Sequence, residues 1–109
     1  MINRIIKIWD GISGSKTADG FEPYLETYIL SGEKKRGAVL ICPGGGYART
    51  SEREAEPIAM QFTAKGYHAF VLYYSVAPNR HPQPLLDVSR AMCIIRENSD
   101  NWKVDKDKI

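Results

Sequence analysis

The stretch that decides the fold is residues 38–47, which read AVLICPGGGY. Its first five residues are apolar without interruption, and the run ends at Pro43 and three glycines. Apolar runs of this length without polar alternation are typical of a strand buried on both faces, as in the parallel sheet of an α/β protein. The sequence therefore predicts a strand at residues 38–42 with a glycine loop at its carboxyl end.

Downstream of the glycine loop, helices and strands alternate. Residues 54–57 (EAEP) predict the start of a helix, because acidic side chains favour its positive end and proline is tolerated in the first turn. Residues 68–76 (HAFVLYYSV) predict a second buried strand. A second helix is predicted to follow from Pro84. Its apolar face is formed by four residues at helical spacing: Leu85, Val88, Met92 and Ile95.

Upstream of the loop, residues 2–9 and 24–30 predict two short strands with no helix between them. We expect these strands to add an antiparallel edge to the sheet. The strand–helix–strand–helix order that follows is typical of parallel pairing through right-handed crossovers. The predicted fold class is therefore α/β, with a mostly parallel sheet, flanking helices and an antiparallel N-terminal edge, in one domain spanning residues 1–109.

Length, composition and charge exclude several classes of protein. The chain has 109 residues, of which 43% are hydrophobic and 26% charged, and these values fit one soluble globular domain. A net charge of +2 is too small to indicate a nucleic-acid or membrane partner. No run approaches the roughly 20 apolar residues of a membrane span. Residues 1–10 lack the apolar stretch of a signal peptide, so we expect a cytoplasmic protein.

The two cysteines, Cys42 and Cys93, form neither a disulfide framework nor a metal-binding pattern. Both lie within apolar runs, and free cysteine is among the most buried residue types. We therefore expect two buried, reduced thiols and no metal site.

The glycine loop permits three interpretations. It could be a tight turn that happens to use glycine. A phosphate loop is weakly supported, because no Gly-Lys step follows Gly46 and Arg49 stands where the dinucleotide fingerprint needs its third glycine. The third interpretation is an oxyanion hole, in which backbone N–H groups stabilise the negative charge that develops on a carbonyl oxygen during acyl transfer. Glycine suits this task because it lets the backbone approach the substrate closely.

Four segments together resemble the N-terminal part of an α/β-hydrolase, and most closely the bacterial acetyl esterases and acetylxylan-esterase-like lipases. They are VLICPGGGY (39–47), the helix start REAEP (53–57), GYHAFVLYYSVAP (66–78) and PLLDVSRAMCIIRE (84–97). The resemblance covers about residues 38–109, two thirds of the chain. Pro43 stands where the hormone-sensitive-lipase-like branch has histidine, which favours the branch that acts on sugar esters.

The resemblance implies roles for the glycine loop. The backbone N–H groups of Gly45 and Gly46 are expected to form part of the oxyanion hole, and Gly44 and Tyr47 to contact the substrate. The substrate is expected to be a small ester such as an acetylated sugar, and no cofactor is implied. For Tyr47, an aromatic side chain that only caps the loop remains an equal alternative.

Other polar and aromatic residues near the loop are expected to be structural. Tyr73 and Tyr74 fit the core of the sheet, and Ser75 fits a turn former at the rim. His68 and His81 have no nucleophile or orienting acid at a recognisable spacing, so neither is expected to be catalytic.

The chain contains no Gly-x-Ser-x-Gly nucleophile elbow. In the family that it resembles, the elbow follows a strand that would begin near Lys108 and Ile109, and the triad acid and histidine come later. The resemblance therefore implies a serine ester hydrolase in which these residues are part of a longer parent chain and are inactive alone. The alternative is a non-catalytic remnant that binds a ligand or a partner chain. An unpaired sheet edge would favour a homo-oligomer.

Overall fold

The computed structural model describes residues 1–9, 23–43, 55–74 and 83–109. These residues form four strands and three helices: β1 (Ile5–Lys7), β2 (Tyr24–Tyr28), β3 (Ala38–Ile41), α1 (Glu56–Ala64), β4 (His68–Tyr73), α2 (Gln83–Glu97) and α3 (Ser99–Trp102). The predicted order of strands and helices is confirmed. The sequence did not predict the short helix α3, and β1 is shorter than the predicted strand at residues 2–9.

The strands form one mixed sheet with the order β1-β2-β4-β3. β1 pairs antiparallel with β2, and β2 pairs antiparallel with β4. β3 pairs parallel with β4, with Leu40 opposite Phe70. The predicted antiparallel N-terminal edge is therefore confirmed, and α1 is the crossover that makes the parallel pair possible.

The central strand β4 explains why two cores form. Its residues alternate between the two faces of the sheet, and the first five of them are buried. Phe70 and Leu72 pack in a cluster with Ala91 and Ile95 of α2. Ala69 and Val71 pack on the opposite face with Tyr28 of β2, Ala59 of α1 and Ala55, which immediately precedes α1. The sheet is thus covered by α2 on one face and by α1 on the other.

The chain after α3 returns to the outer side of β3. Arg36 donates its backbone N–H to the Lys103 carbonyl at 2.9 Å, and Ala38 donates to the Lys108 carbonyl at 2.9 Å. Arg36 and Val104 form an isolated parallel bridge. Residues 103–108 therefore lie beside the start of β3, and the family resemblance implies that a further strand begins near Lys108 and Ile109.

Two expectations about burial were wrong. Cys42 and Cys93 are both exposed, because Cys42 comes one residue after the edge strand β3 and Cys93 falls on the solvent face of α2. On α2, Leu85 is 57% exposed although it was predicted to lie on the apolar face. The buried positions of α2 include Asp87, Ala91 and Ile95. The buried face of the helix therefore includes the Asp87 side chain and excludes Leu85.

Among the described residues, no helix has the length and apolar character needed to cross a membrane. In the same part of the chain, no three His, Cys, Asp or Glu side chains are grouped so that they could hold a metal ion.

Candidate functional site

The carboxyl ends of β3 and β4 lie at the same edge of the sheet, because the two strands are parallel. Open α/β sheets bind ligands outside the carboxyl ends of their strands. β3 leads through Cys42 to Pro43, and β4 leads to Tyr74. The predicted site residues lie outside the described residues: Gly44, Gly45, Gly46 and Tyr47. Ser75 and His81 lie outside them as well. What the structure shows is the scaffold from which the glycine loop departs.

One buried hydrogen bond joins the two strand ends. The Tyr74 hydroxyl donates to the carbonyl oxygen of Pro43. Tyr74 is 8% exposed, and the Pro43 side chain is fully buried. The sequence predicts Tyr74 as a core residue, and the structure adds that its polar end contacts the backbone immediately before the glycine run.

A groove of about 440 Å³ lies beside these strand ends, between the sheet and the start of α1. Six residues line it: Glu26, Ala55, Glu56, Pro57, Met60 and Tyr73. Tyr73 stacks on Tyr24, with ring centroids 4.6 Å apart. Glu26 accepts a hydrogen bond from Asn3 at 3.2 Å. The groove therefore offers an aromatic wall and two carboxylates at the edge of the sheet where the glycine run begins.

The phenols near this groove stay protonated at neutral pH. Desolvation raises the pKa of Tyr24, and the negative charge of Glu26 raises it further. Desolvation is also the main cause that raises the pKa of Tyr28, and Glu26 again contributes to the increase. The Tyr28 hydroxyl is buried near the Glu26 carboxylate, but in the described part of the chain no group forms a hydrogen bond with it. None of these phenols can act as a phenolate base near neutral pH.

Cys42 is the cysteine that lies near the glycine run, two residues before Gly44. Although it is exposed, surrounding protein atoms desolvate its thiol and raise its pKa. A raised pKa keeps the thiol protonated and unreactive at neutral pH. Cys42 is therefore a poor candidate for a catalytic nucleophile.

His68 lies at the other end of the sheet, at the first residue of β4. Its Nδ1 accepts a hydrogen bond from the Leu30 N–H at 3.0 Å, which places the proton on Nε2. Nε2 lies 2.9 Å from the Lys103 carbonyl and donates to it. This histidine links three segments of the backbone and takes no part in the site at the strand carboxyl ends.

Sequence reasoning missed a polar contact that joins β1 to α2. Trp9 Nε1 donates to the buried Asp87 carboxylate at 2.8 Å, and Arg90 Nε donates to the Ile8 carbonyl at 2.9 Å. The two partners of the first bond are 78 residues apart. An aspartate within an otherwise apolar helical stripe was the only local signal.

Comparison with known proteins relates the chain to hydrolases. It is 39% identical over 94 residues to endo-1,4-beta-xylanase B of Butyrivibrio fibrisolvens, a match that covers 83% of this chain and 15% of that protein. No family model matches the chain.

Solved structures show the same fold. An acetyl ester-xyloside bifunctional hydrolase from Caldicellulosiruptor lactoaceticus superposes with a TM-score of 0.91 and 35% identity, over 97% of this chain and 40% of that one. MGS-M1, an α/β hydrolase from a Medee basin deep-sea metagenome library, superposes with a TM-score of 0.85 and 37% identity, over 100% and 44%. A putative carboxylesterase from Lactobacillus plantarum superposes with a TM-score of 0.77 and 28% identity, and the match covers 100% of this chain and 41% of that one.

The chain spans less than half the length of each of these solved structures. Its strand order, its antiparallel edge and its helices on both faces account for the superposition. The chain therefore has the fold of the N-terminal portion of an α/β-hydrolase.

Proposed function

We propose that this chain is part of a serine-type carboxylic-ester hydrolase that removes short acyl groups, such as acetyl, from sugar esters. One observation carries the proposal. Nearly the whole chain superposes, at 35% identity, on a solved acetyl ester-xyloside bifunctional hydrolase. The glycine run follows a strand of the shared sheet at the edge where α/β proteins bind ligands.

In this proposal, the chain supplies transition-state stabilisation and substrate contacts. The backbone N–H groups of Gly45 and Gly46 donate to the oxyanion that forms when a serine attacks the ester carbonyl. Gly44 and Tyr47 contact the substrate. The serine, the histidine that moves its proton and the orienting acid come from outside these 109 residues, which have no nucleophile elbow. No cofactor takes part.

The groove beside α1 supports a sugar as the alcohol part of the ester. Sugar hydroxyls are hydrogen-bond donors, and Glu26 and Glu56 supply carboxylate acceptors. The Tyr73 ring offers an apolar surface to the C–H groups of a sugar ring. This groove lies at the same edge of the sheet as the end of β3.

The test is to express the protein through whatever coding sequence follows the Ile109 codon and to measure its chemistry. We expect hydrolysis of p-nitrophenyl acetate, release of acetate from acetylated xylo-oligosaccharides, and covalent labelling of a serine by a fluorophosphonate probe. Residues 1–109 alone, as the matched control, are expected to show none of these. A longer product with neither hydrolysis nor labelling would refute the proposal and leave a ligand- or partner-binding remnant as the alternative.

The variant Glu56→Gln tests the sugar part separately. Glu56 is exposed, so the change removes a charge without disturbing the core. We expect KM for acetylated xylo-oligosaccharides to rise by about two- to tenfold, because an amide oxygen accepts a hydrogen bond more weakly than a carboxylate does. KM for p-nitrophenyl acetate, which carries no sugar, should not change. An equal effect on both substrates would remove the groove from the proposal.

A further inference from the structure

Among the described tyrosines, Tyr74 is the one whose hydroxyl bonds to the backbone next to the glycine run. It follows directly after β4, and its hydroxyl donates to the carbonyl of the residue that precedes the glycine run. Both partners are buried, so water does not compete for the bond. The contact joins residues 31 positions apart and therefore depends on the parallel pairing of β3 with β4.

The bond constrains more than one oxygen atom. The carbonyl of Pro43 and the N–H of Gly44 belong to one planar peptide group, so fixing the direction of the carbonyl fixes the direction of that N–H. The pyrrolidine ring already restricts φ of Pro43. The three glycines that follow have no such restriction, because they lack a Cβ atom. The anchored Pro43–Gly44 peptide plane therefore gives the backbone a defined direction at the point where the glycine run begins.

We propose that Tyr74 is a positioning residue for the oxyanion hole, acting through the Pro43 carbonyl. This inference rests on the proposed function, because the positioned groups are the N–H donors of Gly45 and Gly46. Tyr74 itself does not contact the substrate. Removing its hydroxyl should misalign the donors in the transition state and leave ground-state binding of the substrate almost unaffected.

The first experiment compares Tyr74→Phe with Tyr28→Phe in the expressed hydrolase. Both changes delete one buried hydroxyl, but in the described part of the chain the Tyr28 hydroxyl makes no hydrogen bond to a backbone carbonyl. For Tyr74→Phe we expect kcat on p-nitrophenyl acetate to fall about tenfold to hundredfold with KM unchanged, as for a small misplacement of catalytic groups. Tyr28→Phe should keep both constants within about twofold.

The second experiment does not need activity. In ¹H–¹⁵N spectra of the 109-residue chain, the amide signals of Gly44, Gly45 and Gly46 should shift in Tyr74→Phe and stay in place in Tyr28→Phe. If the wild-type hydrolase is inactive but these signals shift, the proposed function fails while the anchoring by Tyr74 stands. If the wild type is active and the two variants have equal kcat, or if the glycine signals do not move, the inference is overturned.

A ring-fluorinated tyrosine at position 74 covers the case in which Tyr74→Phe does not fold. Fluorination makes the phenol a stronger donor and keeps the shape of the side chain. We expect the glycine amide signals to shift and kcat to remain at or above the wild-type value. Unchanged glycine signals would overturn the inference.

Discussion

At the scale of single residues, His68 shows how one side chain can join separate segments. Its neutral ring accepts a hydrogen bond from the N–H of Leu30, which follows β2, and donates one to the carbonyl of Lys103, which follows α3. A second proton would have to sit on Nδ1, which already faces the Leu30 N–H. Burial lowers the pKa of His68; the hydrogen bond to the Lys103 carbonyl opposes this shift, and the positive charge of Arg36 adds to it.

This arrangement predicts that acid destabilises the fold through His68. The unfolded chain binds the proton near the ordinary histidine pKa of about 6.5, whereas the folded chain binds it only at lower pH. The contribution of neutral His68 to the free energy of unfolding should therefore be fully present above about pH 6.5. As pH decreases below that value, the free energy of unfolding should fall by at most about 1.4 kcal/mol per pH unit. Urea unfolding between pH 7.5 and 5.0 measures this slope.

Two variants identify the histidine responsible. His68→Gln should be less stable at every pH but should lose this part of the slope. His81→Asn should retain it. A slope that is the same in His68→Gln and in the wild type would contradict the prediction.

At the scale of secondary-structure elements, β1 is held to the fold by more than its short ladder. It pairs with β2 over only three residues, and Ile5 is 66% exposed. Immediately after it, the Trp9 indole and the Ile8 carbonyl bond to Asp87 and Arg90 of α2. These two hydrogen bonds fix the start of the chain against the helix that covers the same face of the sheet.

The variant Trp9→Phe tests this link. It removes the indole donor from the buried Asp87 carboxylate, and the loss of a hydrogen bond to a buried charged group costs about 1–3 kcal/mol. Trp102→Phe is the control. The ring centroids of Trp102 and Phe70 are 5.5 Å apart, and the Trp102 indole donates no hydrogen bond in the described part of the chain. Chemical denaturation should show the larger loss for Trp9→Phe. Equal losses would mean that ring packing, and not the hydrogen bond, matters at Trp9.

The same elements show what local sequence can and cannot predict. β4 was predictable because a strand buried on both faces reads as an uninterrupted apolar run. The face of α2 was not, because Asp87 is buried through a partner at the far end of the chain. The glycine run was found from its composition, but the Tyr74–Pro43 bond depends on strand register and could not be inferred from either segment alone.

At the scale of the whole molecule, the two edges of the sheet differ. β1 forms one edge and β3 the other. Val39, Leu40 and Ile41 of β3 are only half-buried, and in the described part of the chain just residues 103–108 lie beside this strand. A strand edge of this kind, which in the described part of the chain is paired only at its start, readily accepts a strand from another molecule.

We therefore predict that the 109-residue polypeptide self-associates through β3. Sedimentation velocity in reducing buffer should show a mass that rises with concentration. Cys42→Lys places a charge at the end of this edge and should shift the protein toward monomer. Cys93→Lys changes the other exposed cysteine, which lies on α2, and should not shift the protein toward monomer. Equal association of the two variants would place the contact elsewhere.

The position of β4 between β2 and β3 also determines the order in which the chain can fold during synthesis. β1 and β2 leave the ribosome before β3 and β4, and the strand that pairs with β2 and covers its apolar residues comes about 45 residues later in the chain. At roughly 5–20 residues per second, the early hairpin waits about two to nine seconds for its partner. During that interval Leu25 and Ile29 remain accessible to chaperones and to neighbouring nascent chains. The placement that makes β4 the best buried strand of the finished sheet thus makes β2, among the described strands, the one that waits longest for its partner during synthesis.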